Sequence, residues 1–342
     1  MMKLKRVLSY LLTVPMIFGL ITACGGNGSK TELPTTEATE PTQPGEEGSV
    51  LKVLTLGHSL AVDSNHMLCK IADAEGYKGL KIGTLYYSGC YLSQHVKYLQ
   101  NNEPIYNLYI SSTENPDALP VITNGVTMEY ALQLDYWDII VMQGGVFEIA
   151  DDSAFKNGNI QTIRDYVQEK CLNPNVQFAW HMHWAPPVTD SLRDQYTYSD
   201  DYYRKNYRSY GDNRDILYST FAKCVENNIM NDKVFTFMIP TGTAMENALS
   251  SYLEETDLHR DFVHATDLAR VMNAYLWYCK LAGVQELHAL KMDTIPARFF
   301  NSIQGTEDRV LTEEEKAIIL ESVNNALKNP LKVTQSQYTV KP

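Results

Sequence analysis

The feature that most constrains this chain is a serine poised between a buried strand and a helix. Residues 51–56 read Leu-Lys-Val-Leu-Thr-Leu, an apolar run expected of a first, buried strand. Gly57-His58-Ser59-Leu60 follows, and Gly57 permits a sharp turn. Met67, Leu68, Ile71 and Ala72 then recur at helical spacing until Gly76. This predicts a helix over residues 65–75, capped by Asp63 and Ser64. A serine so placed is displayed at the carboxyl edge of a parallel sheet, where open α/β sheets bind their ligands.

A serine hydroxyl is a poor nucleophile at neutral pH and needs an adjacent base. About two hundred residues later, Arg260-Asp261-Phe262-Val263-His264 precedes another helical pattern. Three residues of separation let Asp261 and His264 share one face of a turn, where a carboxylate can fix the imidazole's tautomer and stabilise its protonated form. Ser59, His264 and Asp261 are the expected nucleophile, base and orienting acid. His259 competes as base through Asp257-Leu258-His259, at shorter spacing and with no helix directly behind it. Ser88, beside Gly89, reads as a turn residue.

Lys3, Lys5 and Arg6 precede an apolar run over residues 7–20, short for a membrane span. It ends in Ile21-Thr22-Ala23-Cys24, which resembles the lipobox of bacterial lipoproteins, cut before a cysteine that then carries lipid. An ordinary secretory signal with a chance cysteine is the other reading. Residues 1–23 are expected to be a lipoprotein signal peptide, with Cys24 lipidated and the protein held at the bacterial cell surface, outside the cytoplasm. Acyl chains contribute about 0.8 kcal/mol per buried CH₂. Residues 24–50 are mostly Gly, Ser, Thr, Glu and Pro with almost nothing to bury, so they cannot offset their ordering entropy and predict a disordered tether. Residues 51–335 remain for one folded domain.

The formal charge is −12, and loss of Lys3, Lys5 and Arg6 takes the mature chain to −15. Such an acidic surface disfavours nucleic acid as a partner. Cys69, Cys90, Cys171, Cys224 and Cys279 are odd in number and widely spaced, and none forms a C-x-x-C pair. They argue against a disulfide framework or zinc knuckle and for small core residues, with room for a single disulfide outside the cell.

Further apolar runs over residues 80–86, 138–142, 176–180 and 234–239 predict strands. Helical patterns cover residues 160–171, 210–228 and 266–281, the last ended by Gly283. Thr312-Glu313-Glu314-Glu315 is a capping box opening a final helix that Pro330 stops. The alternation predicts a three-layer α/β/α sandwich with a mainly parallel, five-stranded sheet of flavodoxin-like type. Residues 196–210, rich in tyrosine, read as an insertion, either a loop over the sheet edge or an aromatic wall for carbohydrate.

Taken together, these blocks resemble the SGNH or GDSL-type hydrolase superfamily. More narrowly, they resemble a branch of bacterial lipoproteins with an SGNH-like domain of unknown function. The likeness is carried by Val53-Leu54-Thr55-Leu56-Gly57-His58-Ser59-Leu60, by Leu85-Tyr86-Tyr87-Ser88-Gly89-Cys90-Tyr91-Leu92 and by Trp137-Asp138-Ile139-Ile140-Val141-Met142-Gln143. Ile239-Pro240-Thr241-Gly242-Thr243-Ala244 and the Asp261/His264 motif complete it, over roughly residues 51–330. The resemblance implies a Ser59-His264-Asp261 triad and an oxyanion hole from the Ser59 amide, Gly89 and a third-block side chain. Gln143 stands where the family has asparagine, and His58 where it has Asp or Asn.

The remaining histidines suggest a substrate pocket. His181 and His183 alternate along one strand face, which permits a metal reading, but no third ligand is identifiable, so a pocket wall is expected and no metal. His58 and His95 join that wall; for His95 a half-buried helix position is equally open. His66 and His288 read as surface or packing. The whole predicts a membrane-anchored serine esterase without cofactor. It would remove short acyl groups, chiefly acetyl, from carbohydrate through an acyl-enzyme. A lipase or thioesterase activity, or a glycan-binding lipoprotein on an inactive scaffold, are the other readings. The oligomeric state is not legible.

Overall fold

The computed structural model describes residues 49–146, 148–193, 213–296 and 308–341. The expected signal peptide, nearly all of the tether, and the tyrosine-rich insertion lie outside the described residues.

β1 (Leu51–Gly57) is the middle strand, parallel to β2 (Leu80–Tyr86) on one side and β5 (Ile139–Met142) on the other. β6 (Gln177–His181) and β7 (Phe235–Ile239) continue the parallel run beyond β5. β1 buries both of its faces. Val53 points into one core and Leu54 and Leu56 into the other, which is why the strand reads as nearly continuous apolar sequence.

Helices cover both faces. α1 (Ser59–Asn65), α2 (Leu68–Glu75), α9 (Thr241–Leu249), α11 (Asp267–Ala282) and α12 (Glu313–Lys328) pack on the first core. α3 (Leu92–Gln100), α4 (Met128–Gln133), α6 (Asn159–Lys170) and α8 (Arg214–Val225) pack on the second. α5 (Asp152–Lys156), α7 (Asp190–Arg193) and α10 (Glu255–Leu258) are short connecting turns. The three-layer α/β/α sandwich is as expected. No helix among the described residues is long and apolar enough to cross a membrane.

The sheet has seven strands rather than five, in the order β4-β3-β2-β1-β5-β6-β7. The additions are β3 (Tyr106–Ser112) and β4 (Val121–Val126), which pair antiparallel outside β2. Five of the six β4 residues are exposed, so its sequence carries no buried face to read. The parallel strands alone run β2-β1-β5-β6-β7, the flavodoxin-like order. Chain direction across the sheet reverses beside β1, and ligands of such sheets bind at that crevice.

Two helix expectations are corrected. The first helix starts at Ser59, not after residue 64, because His58 takes the cap: its side chain accepts from the Leu60 N–H. Asp63 and Ser64 therefore lie inside α1 and are buried rather than capping α2. The helix expected over 210–228 is α8, which runs on as a π turn over Glu226–Met230.

Candidate active site

β1 delivers Ser59 to the carboxyl edge of the sheet, and a tight loop before α11 brings the Asp261/His264 motif to it. His259 and Ala265 form an antiparallel bridge, the Arg260 N–H donates to the His264 carbonyl at 2.9 Å, and Trp184 Nε1 donates to the Val263 carbonyl at 2.7 Å. The loop is thus fixed on itself and on the segment after β6. Ser59 Oγ lies 2.9 Å from His264 Nε2, and His264 Nδ1 lies 2.8 Å from Asp261 Oδ2 and 3.0 Å from Oδ1. An ionised carboxylate only accepts, so Nδ1 carries the proton and Nε2 is left to accept from the serine.

Burial works to raise the Asp261 carboxyl. The His264 ring and the Val263 and His264 N–H groups, at 2.9 and 2.8 Å, outweigh it and hold the acid well below the usual carboxylate range. All three triad side chains are partly exposed, while Gly57, His58 and Leu60 around the serine are buried.

Residues 52–304 match the family model described as a domain of unknown function, DUF4886. The chain belongs to the DUF4886 family. A DUF4886 protein from Bacteroides uniformis has the same fold, with a TM-score of 0.67 at 23% identity over 84% of this chain and 98% of its own. Looser likenesses include a protein classed as an SGNH hydrolase from Slackia heliotrinireducens, at TM-score 0.40 and 15% identity, over 67% of this chain and 98% of its own. A family 3 carbohydrate esterase from Clostridium thermocellum has TM-score 0.35 and 11% identity, over 69% of this chain and 99% of its own. The last two are too distant to carry an assignment. No curated protein matches.

In this DUF4886 domain the two backbone donors expected for an oxyanion sit at one sheet edge. The Ser59 and Gly89 N–H groups find no protein acceptor among the described residues. Gly89 is exposed, with φ +59 in the turn closed by Cys90 N–H to the Tyr87 carbonyl, a conformation that favours glycine.

Gln143 is not the third donor its position suggested. Its Oε1 accepts the His58 N–H at 3.1 Å and its Nε2 lies 2.9 Å from His181 Nδ1, so the amide is spent inside the protein, 1% exposed. Thr241 Oγ1 donates to the Met182 carbonyl, which leaves its oxygen to accept from His181 Nε2 at 2.8 Å. The relay His58–Gln143–His181–Thr241 ties the turn that carries Ser59 to the ends of β5 and β6 and the start of α9. Ser64 Oγ also reaches His181 Nε2, at 3.2 Å. Gly57 is needed beneath it, because a Cβ there would stand 2.7 Å from Gln143 Oε1.

The histidines read as pocket wall are instead interior. His58, His181 and His183 are 0% exposed and His95 1%. His58 accepts from Leu60 N–H on Nδ1 and so donates from Nε2 to the Gly144 carbonyl at 3.0 Å, which caps the start of α1. His95 stacks on Tyr106 and bonds its hydroxyl at 2.9 Å, a core position of α3. Both His181 nitrogens are engaged, so that ring has no lone pair for a metal. His259 is buried with Nδ1 on the Glu255 carbonyl, and the Ser59 hydroxyl pairs with His264 instead.

Sequence reasoning missed Glu148 and the Asp63 cluster. Glu148 Oε2 accepts from the Gly145 and Leu92 N–H groups, both at 2.8 Å, and so pins the Gly89-bearing loop to the loop after β5. Burial raises its carboxyl, against those N–H groups. No local pattern marks it.

Proposed function

We propose that this protein is a serine esterase that removes short acyl groups, chiefly acetyl, from carbohydrate. The observation that carries the reading is the unbroken hydrogen-bond line from Ser59 Oγ through His264 to Asp261. His264 Nε2 takes the hydroxyl proton as Ser59 Oγ attacks the ester carbonyl. The oxyanion that forms is met by the Ser59 and Gly89 N–H groups. Collapse breaks the bond to the alcohol, which leaves with the proton from His264. A water activated by the same imidazole then attacks the acyl-enzyme, releasing the acid and restoring Ser59.

The substrate class rests on the SGNH-type resemblance and on the expected tether. A lipid on Cys24 would hold the domain at the cell surface within reach of a polymer. The inward turn of Gln143 favours one other reading, a glycan-binding scaffold that has lost an oxyanion donor.

Purified residues 49–342 are expected to release p-nitrophenol from p-nitrophenyl acetate and acetate from one member of a panel of acetylated polysaccharides. Ser59→Ala abolishes both. Glycan binding without ester turnover would decide for the scaffold reading. A fluorophosphonate adduct that persists in Ser59→Ala would remove Ser59 as nucleophile.

A further inference from the structure

We infer that Asp63 is a positioning residue whose carboxylate clamps the base-bearing loop onto the helix that carries the nucleophile. The inference rests on the esterase reading of Ser59, His264 and Asp261. Asp63 lies one helical turn after Ser59 on α1 and is 2% exposed. Its Oδ2 accepts the N–H of Ala265, the residue after His264, at 2.9 Å. Arg260, the residue before Asp261, places Nη1 3.2 and 3.3 Å from its two oxygens. Both ends of the segment that bears acid and base therefore dock on one carboxylate.

The surroundings make that carboxylate rigid. Arg270 of α11 donates to Oδ1 from Nη2 at 2.6 Å and Nε at 3.0 Å, and is itself held by Asp267 at 2.9 Å. Arg260 Nη1 also donates to the Ala265 carbonyl at 2.6 Å, which closes the loop on itself. A buried charge is tolerated only when so paired. α1 is seven residues long and separate from α2, so the Ser59–His264 distance depends on how this short helix is held against the loop. Misplacement of about 1 Å costs reactions of this kind roughly 10²-fold.

The test compares wild type with Asp63→Ala, Asp63→Asn and Arg260→Gln. Turnover of p-nitrophenyl acetate and the rate of fluorophosphonate labelling are taken per folded molecule, below each variant's Tm. Asp63→Ala is expected to lose roughly 10²-fold in kcat and in labelling rate, with KM within about threefold. Asp63→Asn keeps an acceptor for the Ala265 N–H and recovers part of the loss, to roughly tenfold below wild type. Arg260→Gln leaves the Asp63–Arg270 pair intact, so it reads the clamp even where the Asp63 variants fold poorly; kcat falls roughly tenfold with KM unchanged. A lowered Tm with unchanged kcat and labelling would reduce Asp63 to a structural ion pair and overturn the inference alone. A wild type that neither labels nor turns over ester overturns the esterase reading and the inference with it.

Discussion

Asp261 accepts from three N–H donors, the imidazole's shared between its two oxygens, and each role leaves a separate trace. Asp261→Asn should retain the loop but allow the wrong imidazole tautomer, lowering kcat for a short acyl ester by roughly 10³–10⁴-fold. The folded acid sits below its unfolded value near 3.9, so its stabilisation is present above that pH and is lost as pH falls through the depressed value. Urea midpoints of wild type and Asp261→Asn should accordingly differ at pH 7 and begin to converge only as the pH falls below about 4. Gln143→Leu strands the His58 N–H and His181 Nδ1 in the interior, at about 1–3 kcal/mol for each unpaired group, read as a fall in the urea midpoint. At this scale the triad was legible because Gly57-His58-Ser59 and Asp261–His264 are local motifs. The inward use of Gln143 was not, since its partners lie 85 and 38 residues away in the chain.

The short helix α1 shows why element boundaries escape a reading by period. Its buried positions include Asp63, Ser64 and Asn65, polar residues that a hydrophobic pattern assigns to a cap or a loop. Their partners are supplied by tertiary structure: Asn65 Nδ2 reaches Thr55 and Thr84 on the sheet, and Ser64 reaches His181. By contrast α12 began where the capping box placed it, because Thr312 and Glu315 satisfy each other's backbone N–H locally. The turn joining β1 to α1 has equally little room. Gly57→Ala sets a methyl 2.7 Å from Gln143 Oε1 and 3.0 Å from Ala61 Cβ, so either the relay or the helix must shift. The expected result is a drop of roughly 10²-fold in the fluorophosphonate labelling rate while far-UV circular dichroism is kept.

Over the whole molecule, the alternation of strands and helices sufficed to give the layers and the parallel strands. It missed β4 because an exposed antiparallel edge needs no apolar face, and β3 because its buried residues, Tyr106 and Leu108, mark only its first half. Four of the five cysteines among the described residues are buried, as expected of small core residues, and all five are free. Burial pushes the Cys69 and Cys279 thiols up to about 12, away from the reactive thiolate. In a chain starting at residue 49, a thiol reagent at pH 8 should modify Cys171 first, its site being partly open, and reach the others only on adding denaturant. The layer of imidazoles beside Ser59 has a consequence for pH dependence. An ordinary histidine gains charge near pH 6.5, yet burial holds His58 and His181 well below that and His183 down to about 4. Acidification from neutrality to pH 5 thus leaves these imidazoles uncharged, so the hydrogen bonds that hold the Ser59 turn are kept across that range.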